Sequence, residues 1–143
     1  DNVLTVLDVN IMEDDRWTVE DAAEFAANLA EWLADSGGDP TPSLSISGAC
    51  PGSVTVEVTN VTPNGSVAIV YGFGSGPTTI PSGFPCSGTV LNVGNPNLDY
   101  QVVSADASGV ATLNAFAPAV ACGAVQVQAL DLTDCETSNV VGL

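Results

Sequence analysis

The sequence predicts a mainly β chain: an antiparallel β-sandwich preceded by one strand and one α-helix. Three observations lead there. Residues 44–143 break into short alternating segments separated by Gly, Pro, Asn and Ser. Ahead of them lies one stretch with helical apolar spacing. Four cysteines occur with no histidine to complete a zinc site, so they read as disulfides stapling an exported domain.

The first element is a strand over residues 2–12. Val3, Leu7, Val9 and Ile11 share one face at period two, with Thr5 among them. Leu4, Val6 and Met12 lie on the other face beside Asp8 and Asn10. A strand apolar on both faces needs burial on both sides. Its own domain satisfies that need, or a neighbouring subunit does by strand addition.

A helix follows over residues 19–35. Thr18 caps it, with Asp21 three residues on. Val19, Ala22, Ala23, Ala26, Leu29, Ala30 and Leu33 form one apolar stripe, widened by Phe25 and Trp32. Glu20, Glu24, Asn28, Glu31 and Asp35 form the solvated face. Ala22, Ala26, Leu29 and Leu33 are the expected packing face. Gly37 and Gly38 end the helix. Residues 1–38 thus make an N-terminal assembly or docking segment. Residues 39–43, Asp-Pro-Thr-Pro-Ser, are a stiff linker, and residues 44–143 are the β domain.

Within that domain the expected strands are 43–47, 54–59, 67–72, 89–93, 100–104, 111–115, 124–130 and 138–143. Thr55-Val56-Glu57-Val58 and Val125-Gln126-Val127-Gln128 alternate cleanly. Turn signals stand at Pro63-Asn64-Gly65, Gly94-Asn95-Pro96-Asn97 and Asp106-Ala107-Ser108-Gly109. That strand density with no intervening helix predicts immunoglobulin-like architecture. Residues 72–88 read as a long Gly/Pro-rich excursion tied down by Cys86. Four cysteines allow three connectivities. The expected pairs are Cys50–Cys86 and Cys122–Cys135, the second bracketing one strand and a turn.

Composition narrows function by exclusion. The chain has 143 residues, no histidine, and one basic residue, Arg16, against 17 Asp and Glu. Imidazole acid–base catalysis, histidine metal ligation, Schiff bases and lysine phosphate clamps are all absent. No histidine can activate a serine nucleophile. The net charge of −16 repels nucleic acid and anionic lipid. Calcium and neutral glycans remain physically permitted partners. No transmembrane run and no signal peptide is visible, and the chain opens at Asp1 on a strand-like segment, as a processed, secreted protein is expected to.

The β domain resembles a C-terminal domain of secreted proteins from planctomycetes and related environmental bacteria. The resemblance rests on Ser47-Gly48-Ala49-Cys50-Pro51-Gly52, Thr62-Pro63-Asn64-Gly65, Val67-Ala68-Ile69-Val70-Tyr71-Gly72 and Pro85-Cys86-Ser87-Gly88-Thr89. It continues through Ala105-Asp106-Ala107-Ser108-Gly109, Ala121-Cys122-Gly123 and residues 135–141. The resemblance implies fold and extracellular location and carries no activity with it.

Other candidate sites stand beside simpler readings. Residues 10–21 resemble a degenerate dockerin or EF-hand loop, with Asn10, Asp14, Thr18 and Asp21 as calcium ligands. Met12 at a ligand position and Asp15 in place of the turn glycine depart from that pattern. The simpler reading is a solvated acidic turn with a helix cap. Asn60-Val61-Thr62 and Asn64-Gly65-Ser66 fit the N-glycosylation sequon. Glu57, Asp99, Asp106, Asp131, Asp134 and Glu136 offer no carboxylate pair set in an aromatic cleft. Only Tyr71 and Tyr100 are available to stack a sugar ring; the β domain has no Trp.

The expectation is therefore a non-catalytic structural subunit of an extracellular filament, pilus or surface layer. It self-assembles by donating Val3, Leu7, Val9 and Ile11 to a neighbour's sheet edge. The alternatives are a secreted adhesion module that binds glycan or calcium, and a dockerin-like docking module.

Overall fold

The computed structural model describes residues 40–143. The expected N-terminal strand, the helix with its face Ala22, Ala26, Leu29 and Leu33, and the acidic loop with Asn10, Asp14, Thr18 and Asp21 lie outside the described residues.

All the described sheets are antiparallel. β1 (Ser43–Gly48), β2 (Gly52–Thr59) and β7 (Ala111–Ala117) form one sheet in the order β1-β2-β7. β3 (Ser66–Gly72), β6 (Asp99–Ser104), β8 (Gln126–Asp131) and β9 (Thr137–Gly142) form another, ordered β6-β3-β8-β9. β4 (Gly74–Thr79) and β5 (Val90–Gly94) make a separate two-stranded arm. Each of the eight strands expected from the sequence is present, with ends shifted by up to two residues.

The strand β4 corrects the sequence reading. Residues 72–88 are not wholly an excursion, because Gly74–Thr79 pairs with Val90–Gly94. Gly-Ser-Gly-Pro-Thr-Thr has little strand propensity. It is a strand because β5 supplies its partner, with a register shift between Ser75 and Thr78.

Period-two alternation builds the core. Leu44 of β1, Val56 and Val58 of β2 and Ala111 of β7 turn inward from the three-stranded sheet. They meet Val67 and Ile69 of β3 and Val127 and Ala129 of β8 in one buried cluster. The other face of β2 and its neighbours carries exposed Ser45, Glu57 and Asn114.

The four-stranded sheet is apolar on both faces. Ala68, Val70 and Leu130 face away from that core and pack under Leu91 of the arm. Ile80, Cys86, Leu98 and Leu132 pack against the same cluster. Cover on both sides explains why Val67-Ala68-Ile69-Val70 is unbroken by polar residues.

The disulfides are Cys50–Cys122 and Cys86–Cys135, not Cys50–Cys86 and Cys122–Cys135 as expected. Strand pairing is the reason. The start of β2 pairs with the end of β7, Gly52 opposite Ala117, so the flanking Cys50 and Cys122 arrive at one end of that sheet. The segment after the arm's first strand lies over β8, which brings Cys86 to Cys135 in the β8–β9 turn.

Candidate functional site

A sheet edge exposes unpaired backbone groups unless something blunts or covers it. On one side of the β domain the edges are tied. Asn139 of β9 accepts the Leu44 N–H at 2.8 Å and donates its own amide to the Leu44 carbonyl at 3.0 Å. One carboxamide thus stands in for a strand partner and laces β1 to β9.

The other side is open among the described residues, where β6 pairs with β3 alone and β7 with β2 alone. β6 reads Asp-Tyr-Gln-Val-Val-Ser, with no lysine, proline or bulge to blunt it. Its inward residue Val103 packs on the core. Its outward residues, Tyr100 and Val102, are 51% and 52% exposed.

Those two side chains form one bank of an apolar groove of about 350 Å³. Ala68, Val70 and Leu130 are its floor, on strands paired on both sides. Ile80, Pro81, Phe84 and Pro85 are the opposite wall. Phe84 is 51% exposed. Asp99 also contributes to the lining, and Tyr71 donates to its carboxylate at 3.3 Å. Groove and strand edge are contiguous, because Tyr100 and Val102 belong to both.

Two polar latches hold the surroundings. Gln128, buried on β8, accepts the Asn92 N–H at 2.8 Å and donates to the Ser138 carbonyl at 2.9 Å. This fixes the arm over the sheet. Asp131, also buried, accepts the N–H groups of Thr62 at 2.6 Å and Thr133 at 2.8 Å. Burial pushes its carboxyl up, but the bonds from Thr62, Thr133 and Asp134 outweigh burial and hold it below its ordinary value. Asp106 is also held low, by Ser108 and Val110, in the turn between β6 and β7. Gly109 in that turn has φ +75°, and a Cβ there would collide with the Val61 carbonyl.

The remaining candidate residues are dispersed. Asn60 and Asn64 are exposed in the β2–β3 connection, both with positive φ. Asn60 donates to the Thr41 carbonyl at 3.5 Å, and Thr62 of its sequon donates its hydroxyl to Asp134 at 3.0 Å. Tyr71 and Tyr100 alternate on adjacent strands, so they face opposite sides of the sheet and build no shared stacking platform. Glu57 stands exposed on β2, apart from Asp131 and Asp134.

Sequence reasoning missed the groove. The available signal was apolar Ile80 and Phe84 inside a Gly/Pro-rich segment, beside a strand with apolar residues on both faces. No protein-family model matches this chain, and no curated protein matches it. Among the described residues, no helix is long and apolar enough to cross a membrane.

Proposed function

We propose that this chain is a non-catalytic structural subunit of an extracellular filament, pilus or surface layer. Its C-terminal body is read as an immunoglobulin-like β-sandwich of the kind it resembles in secreted planctomycete proteins. It polymerises when the strand at residues 3–11 of one copy adds to β6 of the next. The observation that carries this reading is the β6 edge, unpaired and unblunted among the described residues, beside an apolar groove.

Chemistry supports the match. A strand laid along β6 has one face toward the groove and the other toward the β6–β7 opening. It must be apolar on both faces, as Val3, Leu7, Val9 and Ile11 opposite Leu4 and Val6 make this one. Backbone pairing supplies direction, and burial at about 25 cal/mol per Å² supplies most of the affinity. Head-to-tail contacts that do not close propagate as fibres. Two disulfides suit an oxidising, extracellular location.

Electron microscopy of the full chain against a variant lacking residues 1–12 tests the reading. Filaments from the full chain and none from the deletion are expected. Filaments from both would refute strand donation.

A further inference from the structure

The groove's two sides are held by different means. Its floor and the β6 bank belong to the hydrogen-bonded four-stranded sheet. Its far wall, within residues 80–89, bonds mainly to itself. Ile80 donates to Thr89 and Gly88 to Ile80, each at 2.9 Å, and Thr89 donates to Cys86 at 3.1 Å. Gly83 and Gly88 have positive φ and no neighbouring atoms within 4 Å of an added Cβ. Beyond apolar packing, two bonds tie this wall to the sheet among the described residues: Asn92 to Gln128 at the arm that carries it, and Cys86–Cys135, which anchors the wall itself to the β8–β9 turn. Cys86 directly follows the wall residue Pro85.

From this arrangement we infer that closing Cys86–Cys135 is the step that makes the subunit competent to assemble. The inference rests on the strand-donation reading and adds its regulation. With both residues as thiols, the part of the wall beyond the Asn92–Gln128 tether keeps only its apolar packing and leaves the groove, and an incoming strand loses the surface opposite Tyr100 and Val102. Oxidation breaks two S–H bonds and forms one S–S bond. The two electrons and two protons pass to a disulfide-bearing oxidant, which leaves as two thiols. A chain kept reduced before export therefore does not polymerise, and the same chain does so once oxidised. Cys50–Cys122 has no such role. It joins the ends of β2 and β7, which their ladder already holds together, and neither cysteine adjoins a residue that lines the groove.

Three full-length proteins test this: the unaltered chain, Cys86→Ser with Cys135→Ser, and Cys50→Ser with Cys122→Ser. Filaments are scored by electron microscopy, and amide exchange is read at Ile80, Gly88 and Thr89. The expected result is loss of filaments and faster exchange in the first variant alone. Filaments from that variant at the unaltered rate, or unchanged protection of those amides, would overturn the inference and leave strand donation standing. Absence of filaments from the unaltered chain would remove strand donation itself and this inference with it. Should the first variant fail to fold, graded reduction of the unaltered chain with dithiothreitol, mapped by alkylation, replaces it. Molecules opened only at Cys86–Cys135 must then fail to assemble, and their assembly would overturn the inference.

Discussion

Gln128 on β8 accepts the backbone N–H of Asn92 on β5 at 2.8 Å, so a side chain 1% exposed joins the four-stranded sheet to the two-stranded arm. Its amide nitrogen meanwhile serves the Ser138 carbonyl. A polar residue is tolerated at this depth because both ends are satisfied. Gln128→Leu keeps the bulk and orphans both partners. At about 1–3 kcal/mol for each buried orphan, the variant should unfold at clearly lower urea. Asn92 amide exchange should rise before global unfolding. An unchanged urea midpoint would mean that packing and the Cys86–Cys135 bond hold the arm without it.

Asp131 makes stability depend on acid in a predictable direction. Its carboxyl is held below the ordinary value, so the folded state favours the ionised form. That contribution is complete above the unfolded value near 3.9 and is lost as pH falls through the lower folded value. Acid also relieves repulsion in a chain of net charge −16, which opposes the loss. Comparison with Asp131→Asn cancels that common effect. The variant should be less stable at pH 7, and the gap should narrow as pH falls below about 4. Parallel stability curves across that range would show that the Thr62 and Thr133 bonds do not depend on charge.

How much of this was legible in the sequence follows from how local each cause is. Thr55-Val56-Glu57-Val58 declares β2 because one face meets the core and the other meets water within four residues. The unbroken run in β3 declares a strand but not its reason, which is the arm lying on its second face. β4 and the disulfide partners were illegible for the same physical reason. Gly-Ser-Gly-Pro-Thr-Thr becomes a strand only beside β5, and Cys50 meets Cys122 only because β2 pairs with β7. The groove draws its floor, bank and wall from residues 68 to 132. That Val102 lies on an edge depends on sheet order, which no window of sequence contains.

The Cys50–Cys122 bond closes a separation of 72 residues. Chain-entropy arguments assign such a loop about 4 kcal/mol, exerted on the unfolded state. Cys50→Ala with Cys122→Ala should therefore lower the thermal midpoint by at least about 10 °C. Spectra of the folded protein at low temperature should be unchanged. A midpoint within a few degrees of the unaltered protein would imply residual structure in the unfolded chain that already holds these ends together.

Val102 gives the sharpest separation of assembly from stability. It faces outward from β6 and is half exposed, whereas its neighbour Val103 packs on the core. Val102→Lys should thus cost the isolated subunit no more than about 0.5 kcal/mol, since the charge remains in water. In an assembled pair the same ammonium would be trapped in the apolar groove beside Phe84, or would block the strand edge as lysines do on natural edge strands. Thr112→Lys, also exposed but on the outer face of β7, carries the same change in charge without touching the groove. Filaments from Thr112→Lys and none from Val102→Lys, at equal thermal midpoints, are the expected outcome. Loss in both would trace assembly to the negative charge of the whole surface, and persistence in both would take the β6 edge out of the interface.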